Sequence, residues 1–316
     1  MALLWIFLAV LAAAAQLIRN LGQRQLVRDL PGRPALSRDV ANAARYWVGL
    51  PLSSLALWAL LSISPERPEL GMRPILFSLL AAVGQIIATD LLIRLFQRRA
   101  FGIGVAYQKT ENLLMALVGP IGLSGLLGLS VASDVLTFWD WLGLILATIG
   151  IVAQSFLSLN RKQREFDGIS LLIGLACGLA FTVTGLCLAE AVRTLGLAQD
   201  TVVSAVLAGA TILVLTQAIQ SVIMAVWIQV RSPGEWAKLP KRAGGLLTIG
   251  SFSAIASLAL FTAFGLQHPA LVSVVKNVEI PLSIAVAYLL YREMPGRWEW
   301  LGMGLILISV LLITLF

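Results

Sequence analysis

The chain has 316 residues, 59% hydrophobic and 12% charged, with a net charge of +7 and a mean hydropathy of +0.90. A soluble domain carries about 25% charged residues, so this composition excludes a water-soluble globule and makes lipid the solvent for most of the surface. The basic residues stand at the ends of apolar runs rather than in one patch, which points to membrane topology and not to nucleic acid.

The apolar runs are continuous and each approaches the roughly 20 residues that a helical span requires. A closed barrel would instead alternate over about ten residues. The fold class expected is therefore an all-α integral membrane protein. Ten spans are predicted, at Ala2–Leu26, Val40–Ile63, Pro74–Phe96, Phe101–Leu123, Leu136–Leu159, Gly168–Ala191, Thr201–Val230, Ala243–Leu266, Pro269–Tyr291 and Trp298–Leu315. No basic residue precedes Leu3–Ala15, so this run reads as a first span rather than a cleaved leader. Its far end, with Arg19 and Arg24, is expected to leave the membrane, and the seventh run is long enough to tilt or protrude. The connections are short and carry turn residues such as Pro31, Gly32, Pro65, Pro68, Pro233 and Gly234, with no room for a soluble domain. Trp139, Trp141, Trp236, Trp298 and Trp300 fit interfacial belts.

Loops after odd-numbered spans hold eighteen lysines and arginines and those after even-numbered spans three. By the positive-inside rule both termini then face away from the cytoplasm, in a bacterial cytoplasmic (inner) membrane. Cys177 and Cys187 lie in one predicted helix about 15 Å apart along its axis, too far to pair.

An internal repeat is visible. The fifth span opens Trp139-Asp140-Trp141-Leu142-Gly143 and the tenth Trp298-Glu299-Trp300-Leu301-Gly302; the fourth holds Lys109-Thr110-Glu111 and the ninth Lys276-Asn277-Val278-Glu279. The tryptophan motifs are offset by 159 and the lysines by 167, a difference that fits a longer loop around Ser130–Thr137. The halves are expected at residues 1–160 and 168–316. Five spans per half is an odd number, so the second copy enters the membrane from the opposite side, an arrangement typical of secondary transporters with a site near the midplane.

These features resemble the drug/metabolite transporter superfamily in its ten-helix EamA-type branch, over essentially the whole chain. The likeness is carried by the small-residue first span running into Gln16, Arg19 and Asn20, by the lysine-threonine-glutamate of the fourth span, and by Val275-Lys276-Asn277-Val278-Glu279-Ile280-Pro281 through Tyr291-Arg292-Glu293 to Trp300-Leu301-Gly302. The resemblance implies two inverted five-helix repeats around a central cavity, with spans 5 and 10 peripheral, and export or exchange of small metabolites. Two features depart from it. The small multidrug members carry a membrane-embedded glutamate in the first span, where Leu3–Ala15 has no acid, and many ten-helix members are assigned cytoplasmic termini.

Charged residues deep in a span are costly and usually face the bundle interior. Here they are Asp90, Lys109, Glu111, Lys276 and Glu279, with Glu190 and Arg94 nearer span ends. Lys276 and Glu279, three apart, are close enough to pair along one helix face. Pro281 is expected to free the carbonyl of Asn277, giving a polar notch. That notch and its partner at Lys109, Thr110, Glu111 and Asn112 are the expected substrate or proton site; the alternative is an ion pair that only ties the halves together. Lys109 and Glu111, two apart, cannot face each other, so a crossed arrangement of Lys109 with Glu279 and Lys276 with Glu111 is one hypothesis. Asp90 and Arg94 suit a structural i,i+4 pair, with Asp90 a secondary proton-site candidate. Gln85, Gln16, Gln217 and Gln220 could bind substrate or simply hold helices together. His268, beside Pro269, reads as a turn residue.

No metal-ligand cluster, phosphate-binding loop or nucleophile with a usable base is present, so neither enzyme nor cofactor is expected. The function expected is alternating-access transport of a small organic solute such as an amino acid, in the direction of export, with proton coupling open. Multidrug or organic-cation efflux is the alternative within transport, and a membrane enzyme acting on a lipid-borne substrate the alternative outside it. The partners expected are the solute and membrane lipid.

Overall fold

The structure is a computed structural model that describes residues 3–27, 29, 34–98, 109–118, 128–129, 136–153, 168–198, 200–282 and 296–315. Among the described residues there are helices and no strands. In chain order they are α1 (Leu4–Leu26), α2 (Arg38–Trp47), α3 (Gly49–Ile63), α4 (Met72–Arg98), α5 (Thr110–Val118), α6 (Phe138–Val152), α7 (Gly168–Arg193), α8 (Val202–Arg231), α9 (Ala243–Leu266), α10 (Pro269–Lys276) and α11 (Arg297–Leu315). Six stretches of the described helix are long and apolar enough to cross a membrane, α2 and α3 counting as one, and α6 and α11 add two shorter apolar helices. The chain is thus an all-α, multi-pass membrane protein. The expected fourth and ninth spans are described only over residues 109–118 and 269–282, so much of both lies outside the described residues.

Local chemistry accounts for most boundaries. Thr137 and Asp140 form a capping box at the start of α6, each side chain accepting from the other's backbone N–H, so the acid inside the Trp139-Asp140-Trp141 motif is an N-terminal cap. Thr201 and Ser204 do the same for α8. His268 caps α10 through Nδ1, which accepts from the Ala270 N–H at 3.1 Å, with Pro269 at the first helical position. Between α2 and α3 the helix breaks at Val48. Pro51, three residues on, has no N–H to offer the Trp47 carbonyl, and a break just upstream follows.

Packing divides the chain into two compact units, Met1–Ile86 with Cys187–Leu266 and Ile87–Leu186 with Gln267–Phe316, each drawing on both halves of the sequence. In the first, α1 runs antiparallel to α9. A Cβ on Gly22 would come within 2.7 Å of Ile249, and one on Gly245 within 3.0 Å of Leu26. Gly209 of α8 meets the Thr262 backbone of α9 at 2.8 Å by the same measure, and Gly250 of α9 receives Val48. At the other end of α4, Arg73 reaches Glu190 of α7 at 3.0 Å. In the second unit, α6 packs on α11 so closely that a Cβ on Gly150 would come within 2.8 Å of the Gly302 carbonyl, and the Cys177 thiol of α7 donates to the Ala88 carbonyl of α4 at 3.4 Å. Small residues at these seams let helix backbones approach where lipid offers no hydrophobic drive to associate.

Three arginines counted with the loops, Arg19, Arg45 and Arg242, are buried in the first unit. The guanidinium of Arg19, within α1, donates to Asn20 Oδ1 at 3.0 Å. Arg45 lies 5.1 Å from the centre of the Tyr46 ring. Arg242 donates to the carbonyls of Pro34 at 2.9 Å and of Gln25 and Leu26 at 3.2 Å, closing the C-terminal end of α1. The charge bias between loops survives their removal from the count.

The segments flanking α2 and α8 are latched to each other. The Ser37 N–H donates to Glu235 at 2.7 Å, Trp47 stacks on Trp236 with centroids 5.0 Å apart, and Trp227 donates to Asp39 at 3.1 Å. Burial pushes the Glu235 carboxyl up, but the hydrogen bonds from Lys238 and from Ser37, with the lysine charge, outweigh it and hold the carboxyl below its ordinary value. The latch's contribution to stability is then full above the pKa of an unfolded glutamate and lost as pH falls through the lowered native value. Glu235→Gln is expected to flatten this acid-side decline in a plot of Tm against pH for the detergent-solubilised protein. Gly209→Ala is expected to cost about 1–3 kcal/mol by forcing α8 off α9, seen as a lowered unfolding midpoint, whereas Gly234→Ala, where a Cβ meets nothing within 4 Å, leaves it in place.

Candidate functional site

The two polar segments meet inside the second unit, where α5 and α10 run antiparallel. Lys276 Nζ donates to Glu111 Oε1 at 3.2 Å, and Lys109 Nζ donates to Glu279 Oε2 at 3.5 Å. These are the crossed pairs. Lys276 and Glu279 do not pair along one helix face, because a turn at residues 277–278 separates them and each lies against α5 or the turn before it. One helical turn further along α5, Ser273 Oγ approaches Met115 Sδ at 3.9 Å. All four ionic groups are buried. Two charges taken out of water are tolerable only when each has its counter-ion, so the cluster is electroneutral by construction, with two cations and two anions.

The turn has its own cause. Pro281 cannot donate to the Asn277 carbonyl, and the chain tightens so that the Ile280 N–H reaches that carbonyl instead, at 2.9 Å. The expectation that proline would leave this carbonyl free is therefore corrected: it is satisfied in a tighter, i→i+3 turn. Upstream, the N–H groups of Asn277 and Val278 likewise reach back only three residues, to Val274 at 2.9 Å and Val275 at 3.1 Å. The helix resumes over residues 279–282.

Two side chains in the cluster stand apart. Asn112 and Asn277 are 1% and 0% exposed, and both ends of both carboxamides lack a hydrogen-bond partner among the described residues. Leaving a buried polar group unsatisfied costs about 1–3 kcal/mol. Asn112 follows Glu111 and Asn277 follows Lys276 in the chain, and their four carboxamide atoms offer donors and acceptors in equal number.

The remaining candidates sit elsewhere. Asp90 is paired with Arg94 on α4 at 2.7 Å, with both side chains partly exposed. Gln85 belongs to the first unit, where its Oε1 accepts from Gln220 at 2.7 Å. Gln217 accepts from Ser53 at 2.6 Å in the same unit, and Gln16 is buried in α1. Glu190, fully buried, is held by Arg73. Thr182 of α7 is a residue the sequence does not signal: its hydroxyl lies 3.3 Å from the Glu111 carbonyl and 2.9 Å from that of Gly178. Contacts between helices carry no fixed spacing along the chain. Among the described residues no three His, Cys, Asp or Glu side chains converge as a metal site would require.

No family model matches the chain, and no curated protein matches it. Among solved structures it is similar to one described only as a crystal structure of a protein, with a TM-score of 0.62, 14% identity and 98% of each chain covered. That likeness concerns the fold alone.

Lys276→Met strands the Glu111 carboxylate in an apolar interior and is expected to cost about 3–5 kcal/mol. Reversing both charges, Lys276→Glu with Glu111→Lys, is expected to recover more than half of that loss in detergent unfolding.

Proposed function

We propose that the protein is a secondary transporter of a small, net-neutral polar solute, working by alternating access about the α5–α10 cluster. The observation that carries this reading is the pair of buried carboxamides, without a partner among the described residues, each next in sequence to a member of an electroneutral group of charges. A structural tie between helices needs the ion pairs but has no use for four unsatisfied polar atoms. A solute with both donors and acceptors does use them. Equal numbers of lysine and glutamate suit a zwitterion, such as an amino acid, better than an organic cation, which would face two lysines already in place.

The architecture in this reading is ten helices in two inverted five-helix repeats, residues 1–160 and 168–316, of the EamA type in the drug/metabolite transporter superfamily. The pattern of helix contacts supports it. Exchanging first-half for second-half helices turns the α1–α9 seam into the α4–α7 contacts, while α3–α8, α5–α10 and α6–α11 each map onto themselves. An inverted repeat predicts such self-mapping, and in transporters built this way the site lies at the interface of the two copies. The loop charge bias further supports a bacterial cytoplasmic membrane with both termini on the far side from the cytoplasm.

Purified protein in proteoliposomes is expected to catalyse saturable uptake of radiolabelled neutral amino acids, accelerated by unlabelled solute inside. Asn112→Leu and Asn277→Leu are expected to lower that flux about ten-fold or more through lost ligand hydrogen bonds. Both variants should retain or gain thermal stability, since each removes an unsatisfied polar group. No saturable flux for any net-neutral solute, or full flux in both variants, would sink the reading.

A further inference from the structure

Where α1 ends and α9 begins, the first unit holds a cavity of about 290 Å³. It lies at the edge of two stretches long and apolar enough to cross a membrane, Leu4–Gln23 and Pro240–Leu266, and so at the depth of lipid headgroups. Trp236, four residues before Pro240 and stacked on Trp47, marks the same level, since tryptophan favours the membrane–water interface. Lys241 and Arg242 are among the lining residues, and no acidic side chain is. Lys241 is exposed and stands in no ion pair among the described residues. Gly244 and Gly245 keep the α9 wall low, and a Cβ on Gly244 would meet nothing within 4 Å. The volume sits at the lower end of the roughly 300–1,000 Å³ of small-molecule sites, which admits a headgroup and not a whole lipid. Toward the middle of the spans the surface turns apolar. Leu21 and Ile18 lie four and seven residues before the lining residue Gln25, on its face of α1, and Ile255 lies seven after Thr248 on α9. All three are exposed.

We infer that this cavity binds the headgroup of an anionic phospholipid, whose acyl chains lie along the apolar surface of α1 and α9. The inference goes beyond transport and stands on the membrane-spanning fold alone. The phosphodiester meets the Lys241 ammonium, with the Arg242 guanidinium behind it on the carbonyls of Pro34, Gln25 and Leu26. The Gln25 carboxamide offers hydrogen bonds to headgroup hydroxyls. A zwitterionic headgroup brings its own cation beside Lys241, and that repulsion offsets much of the attraction to the phosphate. A headgroup of net negative charge brings none, so the lining selects for it. Free phosphate satisfies the charge but gains nothing from Ile18, Leu21 and Ile255, whereas the lipid satisfies both at once. A lipid held by residues of both helices joins the end of α1 to the start of α9, and a ligand that binds only the folded state raises its stability.

Thermal unfolding of the full chain in mixed detergent–lipid micelles tests the assignment. Dioleoylphosphatidylglycerol is expected to raise the Tm by about 3 °C or more over the same mole fraction of dioleoylphosphatidylcholine, and inorganic phosphate at matched ionic strength is expected to give no comparable rise. Gly244→Glu sets a carboxylate in the cavity at a position with room for a side chain, and Lys241→Gln removes the exposed charge. Both variants are expected to keep the Tm seen in phosphatidylcholine and to lose most of the phosphatidylglycerol shift. Arg231→Gln is the control for general attraction to surface charge, because its guanidinium lies over the Trp227 ring and outside the cavity lining; it is expected to keep the full shift. Should Gly244→Glu lower the baseline Tm, the comparison of Lys241→Gln with Arg231→Gln decides alone. An equal rise from phosphatidylcholine overturns the site, as does an undiminished shift in Lys241→Gln or an equal loss in Arg231→Gln. A rise from inorganic phosphate as large as the lipid's overturns the phospholipid as the ligand.

Discussion

A charge inside hydrocarbon needs a partner, and in this chain that requirement fixes how α5 and α10 meet. Apolar side chains packed in lipid have little preference for one axial register over another, since the tails they displace are as apolar as they are. The two ion pairs supply the preference. Lys109 with Glu279, Glu111 with Lys276 and Met115 with Ser273 form a single antiparallel ladder. A slip of one helical residue would turn each of these side chains by about 100° and separate both lysines from both glutamates. The alternative registers are excluded by the cost of four unpaired ions rather than by packing. Arg73 and Glu190 apply the same rule between α4 and α7, with the carboxylate buried and the guanidinium half out.

What the sequence reveals and what it hides follows from the range of each interaction. The apolar runs, the caps and the i,i+4 pair of Asp90 and Arg94 are local, and residue order is enough to find them. The span Ala243–Leu266 coincides with α9 to the residue. The rarity of charge inside the runs singles out Lys109, Glu111, Lys276 and Glu279 before any fold is known, and the two-residue spacing of Lys109 and Glu111 already forces them toward different partners. Other features depend on distant chain. Arg19, Arg45 and Arg242 look like loop charges because they stand near predicted span ends. Yet Arg242 is buried by carbonyls at positions 25, 26 and 34. The Thr182 contact with the Glu111 carbonyl and the glutamine pairings Gln85–Gln220 and Gln217–Ser53 likewise follow no spacing rule.

Pro281 illustrates a subtler limit. Its missing N–H was enough to locate a disturbance in the ninth span, but not to say how the chain would resolve it. A carbonyl denied its i+4 donor can stay open to a ligand, take a water, or recruit the i+3 N–H. The backbone takes the third course at Asn277, so the polar character of the notch comes from the asparagine side chain and not from the main chain. Function in this reading shifts accordingly, from a freed carbonyl to an unpartnered carboxamide, while the position along the helix is unchanged.

A duplicated scaffold, if the halves are copies, makes equivalent parts, and a binding step needs parts that differ. Seams of small residues recur in both units: Gly143 and Gly150 on α6 face α11, and Gly22 on α1 faces α9. Divergence is concentrated where lysine faces glutamate. Aligning the lysines sets Thr110 against Asn277, Glu111 against Val278 and Asn112 against Glu279, so lysine, glutamate and asparagine occur in both halves in a different order, with threonine in one and valine in the other. That reordering sets Lys109 and Asn277 in turns, while Glu111, Lys276 and Glu279 stand in helix.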